Sequence, residues 1–249
     1  MLGGKARFAV LALVAAPLAA QTAPAPSVDE IVAKYVAKVG GLPTIQAVKT
    51  LKRTGKFRGG DGFEAKVVEE NKRPDLVRQE FTFQGMTGVT AWDGKTGWKI
   101  EPWQGKKDPE PLGEDELKGI VEDSVFDGQL VNYKQKGNTI EFAGSEPVEG
   151  TDAWKLKVTL KNGDVQYYYM DTDDFVPIKI EFKRMIRGAE RETEVSLGDY
   201  KAVNGWYLPH SIEQGRKGSS QKSTVVYDKI EANVPMDDSI FAKPAGAAQ

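Results

Sequence analysis

The stretch "WKLKVTLKNGDVQYYYM", from Trp154 to Met170, carries the decision about fold. Trp154, Leu156, Val158 and Leu160 alternate with polar residues, the period of a half-buried strand. Asn162-Gly163 follows, the strongest short-range hairpin signal, and a second alternation then begins at Val165. A two-residue turn at Asn162-Gly163 pairs Lys161 with Asp164, Leu160 with Val165, Val158 with Tyr167 and Leu156 with Tyr169. In that register every apolar residue meets an apolar partner on one face.

The same grammar extends outward. A turn at Gly188-Ala189 pairs Arg187 with Glu190, Phe182 with Val195 and Ile180 with Leu197. That puts Ile178, Ile180, Phe182, Val195 and Leu197 on the apolar face, with Lys179, Glu181 and Lys183 on the other. Residues 206–213, carrying Trp206 and Leu208, and residues 222–231 form a further pair joined by "QGRKGSSQ". Segments 48–59, 62–72 and 76–84 also read as strands, each more charged than a two-sided core allows. Two phrases, "VQYYYMDTDDFVPIKIEF" and "VNGWYLPHSIEQ", place a proline before an apolar alternation. Proline cannot donate to a ladder and is confined to strand starts and edges. The pattern predicts a mainly β fold of about ten or eleven antiparallel strands, apolar on one face, and a sheet of that size curls or closes.

Two helices stand apart from the strands. Ser27 and Glu30 make a capping box ahead of Val28, Ile31, Val32, Tyr35, Val36 and Val39, and Gly40-Gly41 stops the helix. "LGEDELKGIVEDSVF" sets Leu117, Ile120, Val121 and Val125 at helical spacing behind an acidic first turn. Both helices need an apolar surface, and the concave face of the sheet supplies one.

The N-terminus reads as a secretory signal peptide over residues 1–20: Lys5 and Arg7, the apolar run "FAVLALVAAPLAA", and a small-residue cleavage site. That run is too short to span a bilayer. A Pro/Ala-rich tether (21–27), one domain (28–241) and a flexible tail (242–249) follow. The chain has no cysteine, which excludes a disulfide framework, thiol chemistry and lipidation at a cysteine. The expected location is therefore the periplasm, as a free, exported monomer. Lys and Arg number 34 against 36 Asp and Glu. Without Lys5 and Arg7 the cations fall to 32, and the mature charge is −4. No basic stripe marks a nucleic-acid partner.

Chemistry-bearing motifs are weak. His210 is the only histidine and shares a strand face with Trp206, Leu208 and Ile212. Asp171, Asp173 and Asp174 lack the glycine and distal glutamate of a calcium loop and suit a β-turn. Gly88 and Gly94-Lys95-Thr96 are separated by one residue too many for a phosphate loop, in a strand–turn–strand context. No enzyme activity, metal or cofactor is expected.

"NKRPDLVRQEF", "TAWDGKTGWKIEP" and "MDTDDFVPIKIEF" occur in the order seen in the LolA/LolB-like superfamily of periplasmic outer-membrane lipoprotein carriers. The resemblance spans most of residues 28–232. It implies an incomplete, strongly curved barrel of about eleven strands, lidded by helices over a hydrophobic cavity for acyl chains. The cavity lining is then expected from Trp154, Leu156, Val158, Leu160, Val165, Tyr167, Tyr169, Ile178, Ile180, Phe182, Val195, Leu197, Trp206 and Leu208. The lid is expected from Leu117, Ile120, Val121 and Val125. By the same resemblance Arg73 latches the lid through backbone carbonyls, near the 114–125 helix.

The implied function is a carrier that takes an acylated lipoprotein or lipid across the periplasm, from an inner-membrane release complex towards an outer-membrane acceptor. An envelope sensor or scaffold using the same pocket is the alternative. A hydrolase using Asp or His210 is a third. The chain departs from the pattern in its extra residues around "TFQGMTG" and "QGRKGSSQ", and the cargo does not transfer with the resemblance.

Overall fold

The structure is a computed structural model that describes residues 26–60, 62–186 and 189–244. The expected signal peptide, residues 21–25 of the expected tether, the end of the expected tail, and Arg187 and Gly188 of the expected turn lie outside the described residues.

Among the described residues thirteen strands form one antiparallel sheet. They are β1 (Thr50–Arg58), β2 (Glu64–Lys72), β3 (Leu76–Phe83), β4 (Met86–Trp92), β5 (Gly97–Glu101), β6 (Lys106–Pro111), β7 (Thr139–Val148), β8 (Thr151–Thr159), β9 (Val165–Asp171), β10 (Pro177–Ile186), β11 (Ala189–Val203), β12 (Trp206–Arg216) and β13 (Lys222–Ala232). The spatial order runs β6 down to β1, then β13 down to β7, so the sheet is curved but not closed. About eleven strands were expected. The two without a clear sequence pattern, β6 ("KKDPEP") and β7 ("TIEFAGSEPV"), are the two edges. Edge strands tolerate proline, charge and bulges that blur alternation.

Chain order explains where the helices go. The strand at one edge, β6, is followed by α3 (Glu114–Ser124), α4 (Tyr133–Lys136) and then β7 at the other edge. The segment with α3 therefore links the two edges. At its start the Glu116 carboxylate accepts from the Gly113 N–H at 3.0 Å. The first helix, α1 (Val28–Lys38), has the expected capping box, with Ser27 and Glu30 bonding each other's backbone N–H. A short α2 (Leu42–Ala47) follows, with proline in its first turn.

Two register corrections matter. Opposite Leu156 stands Tyr168, not Tyr169, and opposite Val158 stands Gln166. The Leu160 carbonyl accepts from the Gly163 N–H at 2.8 Å, and the Leu160 N–H donates to Asp164 at 2.8 Å. Three residues make this loop, and only Gly163 among them has positive φ (+91°). A two-residue Asn-Gly turn would need positive φ at both positions. The one-residue slip sends Tyr167 and Tyr169 to the convex face, with Val165 opposite Thr159 on that same face. In the second hairpin Ile180 meets Val195 and Phe182 meets Thr193, a shift of two that keeps each side chain on its expected face. Pro177 does open β10, whereas Pro209 lies within β12, before its pairing with β13 starts at Ser211.

The concave face is filled in two ways. Under α1, Ile31 packs with Leu130, Leu156, Val158, Leu160, Tyr168 and Met170 into a solid core. At the end where α1 turns into α2, Val39, Ile45, Val48, Leu51, Trp206 and Leu208 form a second core. The convex face of β1–β5 is strapped by residues 233–241. Thr50 Oγ1 donates to the Val234 carbonyl, Arg78 Nη1 to Ile240 and Trp98 Nε1 to Phe241, at 2.6, 3.1 and 2.8 Å.

On the convex face of β8–β13, Lys179 and Lys217 hold Glu181 at 2.6 and 2.8 Å. Burial pushes the Glu181 carboxyl up, but these lysines outweigh it and bring it to about 2, from 4.5. A carboxyl depressed by folding stabilises above its unfolded value, and that stability is lost as pH falls towards its folded value. The parent is therefore expected to lose urea resistance between about pH 4.5 and 2, and Glu181→Gln to show a shallower loss over that window. Equal slopes in the two proteins would remove Glu181 from the acid response.

Candidate functional site

Between the C-terminal end of α3, with the segment that leaves it (residues 123–128), and the concave face lies a cavity of about 620 Å³, within the range of small-molecule sites. Its apolar wall comes from Val67 and Phe81 on one half of the sheet and Phe182, Val195, Ile212 and Val225 on the other, with Val125 and Phe126 above. Trp103, in the 3-10 turn Pro102–Gln104, lies against Gly88, where a Cβ would stand 2.0 Å from the indole ring. Glycine is required there by the close approach. Phe57, Phe63, Phe81, Phe83 and Trp103 form a chain of rings with centroids 5.2–6.1 Å apart.

Polar contacts hold α3 on both sides. Glu116 reaches Lys99 on β5 at 2.6 Å and Asp123 accepts from Gln79 on β3 at 3.3 Å. On the opposite side Lys118 meets Asp164 at 2.7 Å, and Glu122 accepts from Gln166 at 3.3 Å. The Glu116 carboxylate, then Glu101, raises the Lys99 ammonium above its ordinary value. Ile120 is buried, and Leu117 rests on β5 where Gly97 leaves room, but Val121 is 38% exposed. The helix is thus attached by charge as much as by apolar surface.

The expected lining divides. Phe182, Val195 and Leu208 line the cavity, and Leu197 pairs with the lining residue Ile212. Leu156, Val158 and Leu160 are instead in the solid core under α1, with Trp154 and Ile180 packed against it. Trp206 belongs to the α2-end core, 6.0 Å from the Phe126 ring. Ile178 sits at a bulge of β10. Val165, Tyr167 and Tyr169 are on the convex face, where Lys155 lies 5.1 and 4.9 Å from the two tyrosine rings. Among the lid residues Val125 reaches the cavity. His210 is buried with Nδ1 3.0 Å from the Leu208 carbonyl. Asp171 accepts from the N–H groups of Asp173 and Asp174, as a turn residue does. Among the described residues no cluster of His, Asp or Glu is arranged to hold a metal, and no helix is long and apolar enough to cross a membrane.

Arg73 sits at the closed end, not against α3. Its Nε donates to the Val48 carbonyl at 2.9 Å and its Nη2 to Ile45 at 3.1 Å. Its Nη1 meets Asp127 at 2.9 Å, and the guanidinium lies 4.6 Å from the Phe126 ring. Lys136 holds the other Asp127 oxygen at 2.6 Å. Burial depresses the Lys136 ammonium despite this partner. One planar fork thus ties the end of α2 to the segment that leaves α3.

Three solved structures share this architecture. A domain named for outer membrane lipoprotein sorting, from Vibrio parahaemolyticus, matches at TM-score 0.57 and 14% identity, covering 86% of this chain and 95% of that one. A LolA superfamily protein from Nitrosomonas europaea matches at 0.57 and 16%, covering 88% and 99%. The chain has the LolA-like fold. A DUF1329 family protein from Desulfovibrio piger is similar to the same degree, at 0.58 and 13%, covering 86% and 97%. A family profile described as "-like: Uncharacterized protein" matches residues 122–245. Among curated proteins none matches.

The cavity residues that sequence reasoning missed include Arg53, Val67, Glu69, Gln79, Phe81, Trp103, Phe126, Ile212, Val225 and Tyr227. The strands of Arg53, Glu69, Gln79 and Phe81 were set apart by excess charge, and that charge was the available sign, whereas Trp103 lies in a 3-10 turn.

Losing Arg73 leaves Asp127 paired with Lys136 but strips the Val48 and Ile45 carbonyls of their donor, and a hydrogen bond to a charged group contributes about 1.5–3 kcal/mol. Arg73→Leu is expected to lower unfolding free energy by roughly 3 kcal/mol in urea titration, and Arg73→Lys, which keeps charge but not the fork, by less. A loss under about 0.5 kcal/mol for Arg73→Leu would make Arg73 a surface residue.

Proposed function

We propose that the protein is a periplasmic carrier that shields an acyl chain of a lipid or lipoprotein in the cavity beneath α3. The observation that carries this is a 620 Å³ space with apolar walls on a sheet whose two edges are bridged by a helix held through polar contacts. The LolA-like fold, and a structural neighbour named for lipoprotein sorting, support the same reading. No bond is made or broken in it. Burial of a methylene contributes about 0.8 kcal/mol, so a dozen would contribute roughly 10 kcal/mol before ordering costs. Release therefore needs the lid to open or a better acceptor.

In this reading Arg73 steadies the lid from its far end. Its fork fixes Phe126 and Asp127, three residues or fewer beyond the last turn of α3, and Phe126 is also a wall of the cavity. Loosening the fork favours the open arrangement, and cargo then shifts the balance by its differential affinity for the two states.

Native mass spectrometry of the protein isolated from its own periplasm is expected to show added mass from a bound acyl compound, released by organic extraction. Protein free of lipid that also fails to take up acyl chains offered in micelles would overturn the carrier reading. Turnover of acyl esters, abolished by His210→Ala, would replace it with the hydrolase.

A further inference from the structure

The cavity has a polar floor, and strand register puts it there. Arg53 stands opposite Glu69, Glu69 opposite Gln79, and Gln79 opposite Thr90. Directly opposed residues share a face, so one polar row crosses β1–β4 on the concave side, and all four residues line the cavity. The next concave row down the strands, Leu51, Asn71 and Val77, is fully buried and seals the space below. Four residues up β1 from Arg53, about 13 Å along the strand, stands Phe57, in the aromatic chain that ends at the 43% exposed Trp103. The space is aromatic at its outer end and charged at its inner end.

The floor's own bonds show its chemistry. Arg53 Nη1 pairs with Glu69 and donates to Asn71 Oδ1 at 3.1 Å. Glu69 Oε2 accepts from the Tyr227 hydroxyl at 3.2 Å. Burial, then the Glu69 carboxylate, pushes the Tyr227 hydroxyl well up, so it stays a donor. Both Arg53 bonds come from one nitrogen of a group with five N–H donors. An alkyl terminus pressed onto this floor would strip water from Arg53, Glu69 and Gln79, and each stranded polar group costs more than one buried methylene returns. A carboxylate would set a further anion beside Glu69 and Asp123.

We propose, resting on the carrier reading and narrowing its cargo to a free acyl compound, that the occupant enters polar end first and that this end is a carboxamide, neutral and both donor and acceptor. Its carbonyl accepts from Arg53 and Gln79, its N–H donates to Glu69, and its chain runs back along the apolar wall towards Trp103.

Displacement of an anilinonaphthalene dye from the whole protein tests this at pH 8 with three probes of one chain length: dodecanamide, dodecanoate and dodecane. Dodecanamide is expected to displace the dye at concentrations at least tenfold lower than either of the others. The neutral double change Arg53→Met/Glu69→Met should bring amide and alkane within about threefold, and the milder Gln79→Leu should narrow the gap if the double variant does not fold. Parent protein that ranks dodecane or dodecanoate level with or above the amide overturns the proposal, as does a folded double variant that keeps the tenfold preference. If none of the three displaces the dye, the carrier reading falls and takes the proposal with it.

Discussion

A sheet whose two edge strands are neighbours in sequence must carry the chain from one edge to the other, and everything distinctive here follows from that link. The chain leaves β6, forms α3 and α4, and begins again as β7 at the opposite edge. The curved sheet needs no closure because this segment bridges it. The bridging segment is acidic in its first turn and rests on Lys99, Gln79, Lys118–Asp164 and Gln166. Exposed and half-exposed ion pairs are individually weak and screened by salt. A helix so attached covers the space below it without being welded in place.

The asymmetry of the concave face has the same origin. Beneath α1 the apolar rows of β8 and β9 meet Ile31 and Leu130 directly and leave no room. Beneath α3 the facing rows contain Arg53, Glu69, Gln79 and Thr90, whose polar ends do not pack into a helix stripe. A solid core on one half and a cavity on the other are two outcomes of one sheet. At the closed end the Arg73 fork joins the two helical regions, bonding the α2 carbonyls on one side and Asp127 on the other.

Strand alternation made the antiparallel sheet legible, a capping box made α1 legible, and helical spacing behind an acidic first turn made α3 legible. The edges were not, because Pro109, Pro111 and Pro147 with their charged neighbours erase alternation where pairing is one-sided. Register failed at Asn162-Gly163, since the same dipeptide serves a two-residue and a three-residue loop, and a slip of one residue exchanges the faces. That slip is why Tyr167 and Tyr169 were expected inside. The cavity was misplaced for a related reason. Apolar rows mark where a core is complete, while the space here lies against rows that mix charge with aromatic rings. The strap at 233–241 was hard to see because much of its hold is backbone carbonyls offered to Thr50, Arg78 and Trp98, with the one buried ring of Phe241 beside them.

In the proposed carrier an acyl chain occupies the cavity at the end of α3 with its outer part beside Trp103. Of the five tryptophans, Trp103 lines that cavity, whereas Trp98 is 1% and Trp206 2% exposed in cores. Titration with an acyl amide brominated near its chain end, read by tryptophan fluorescence, tests it most directly, because bromine quenches only at near contact. Saturable quenching is expected in the parent and is lost in Trp103→Phe while the brominated compound still binds. Undiminished quenching in Trp103→Phe would place the chain elsewhere.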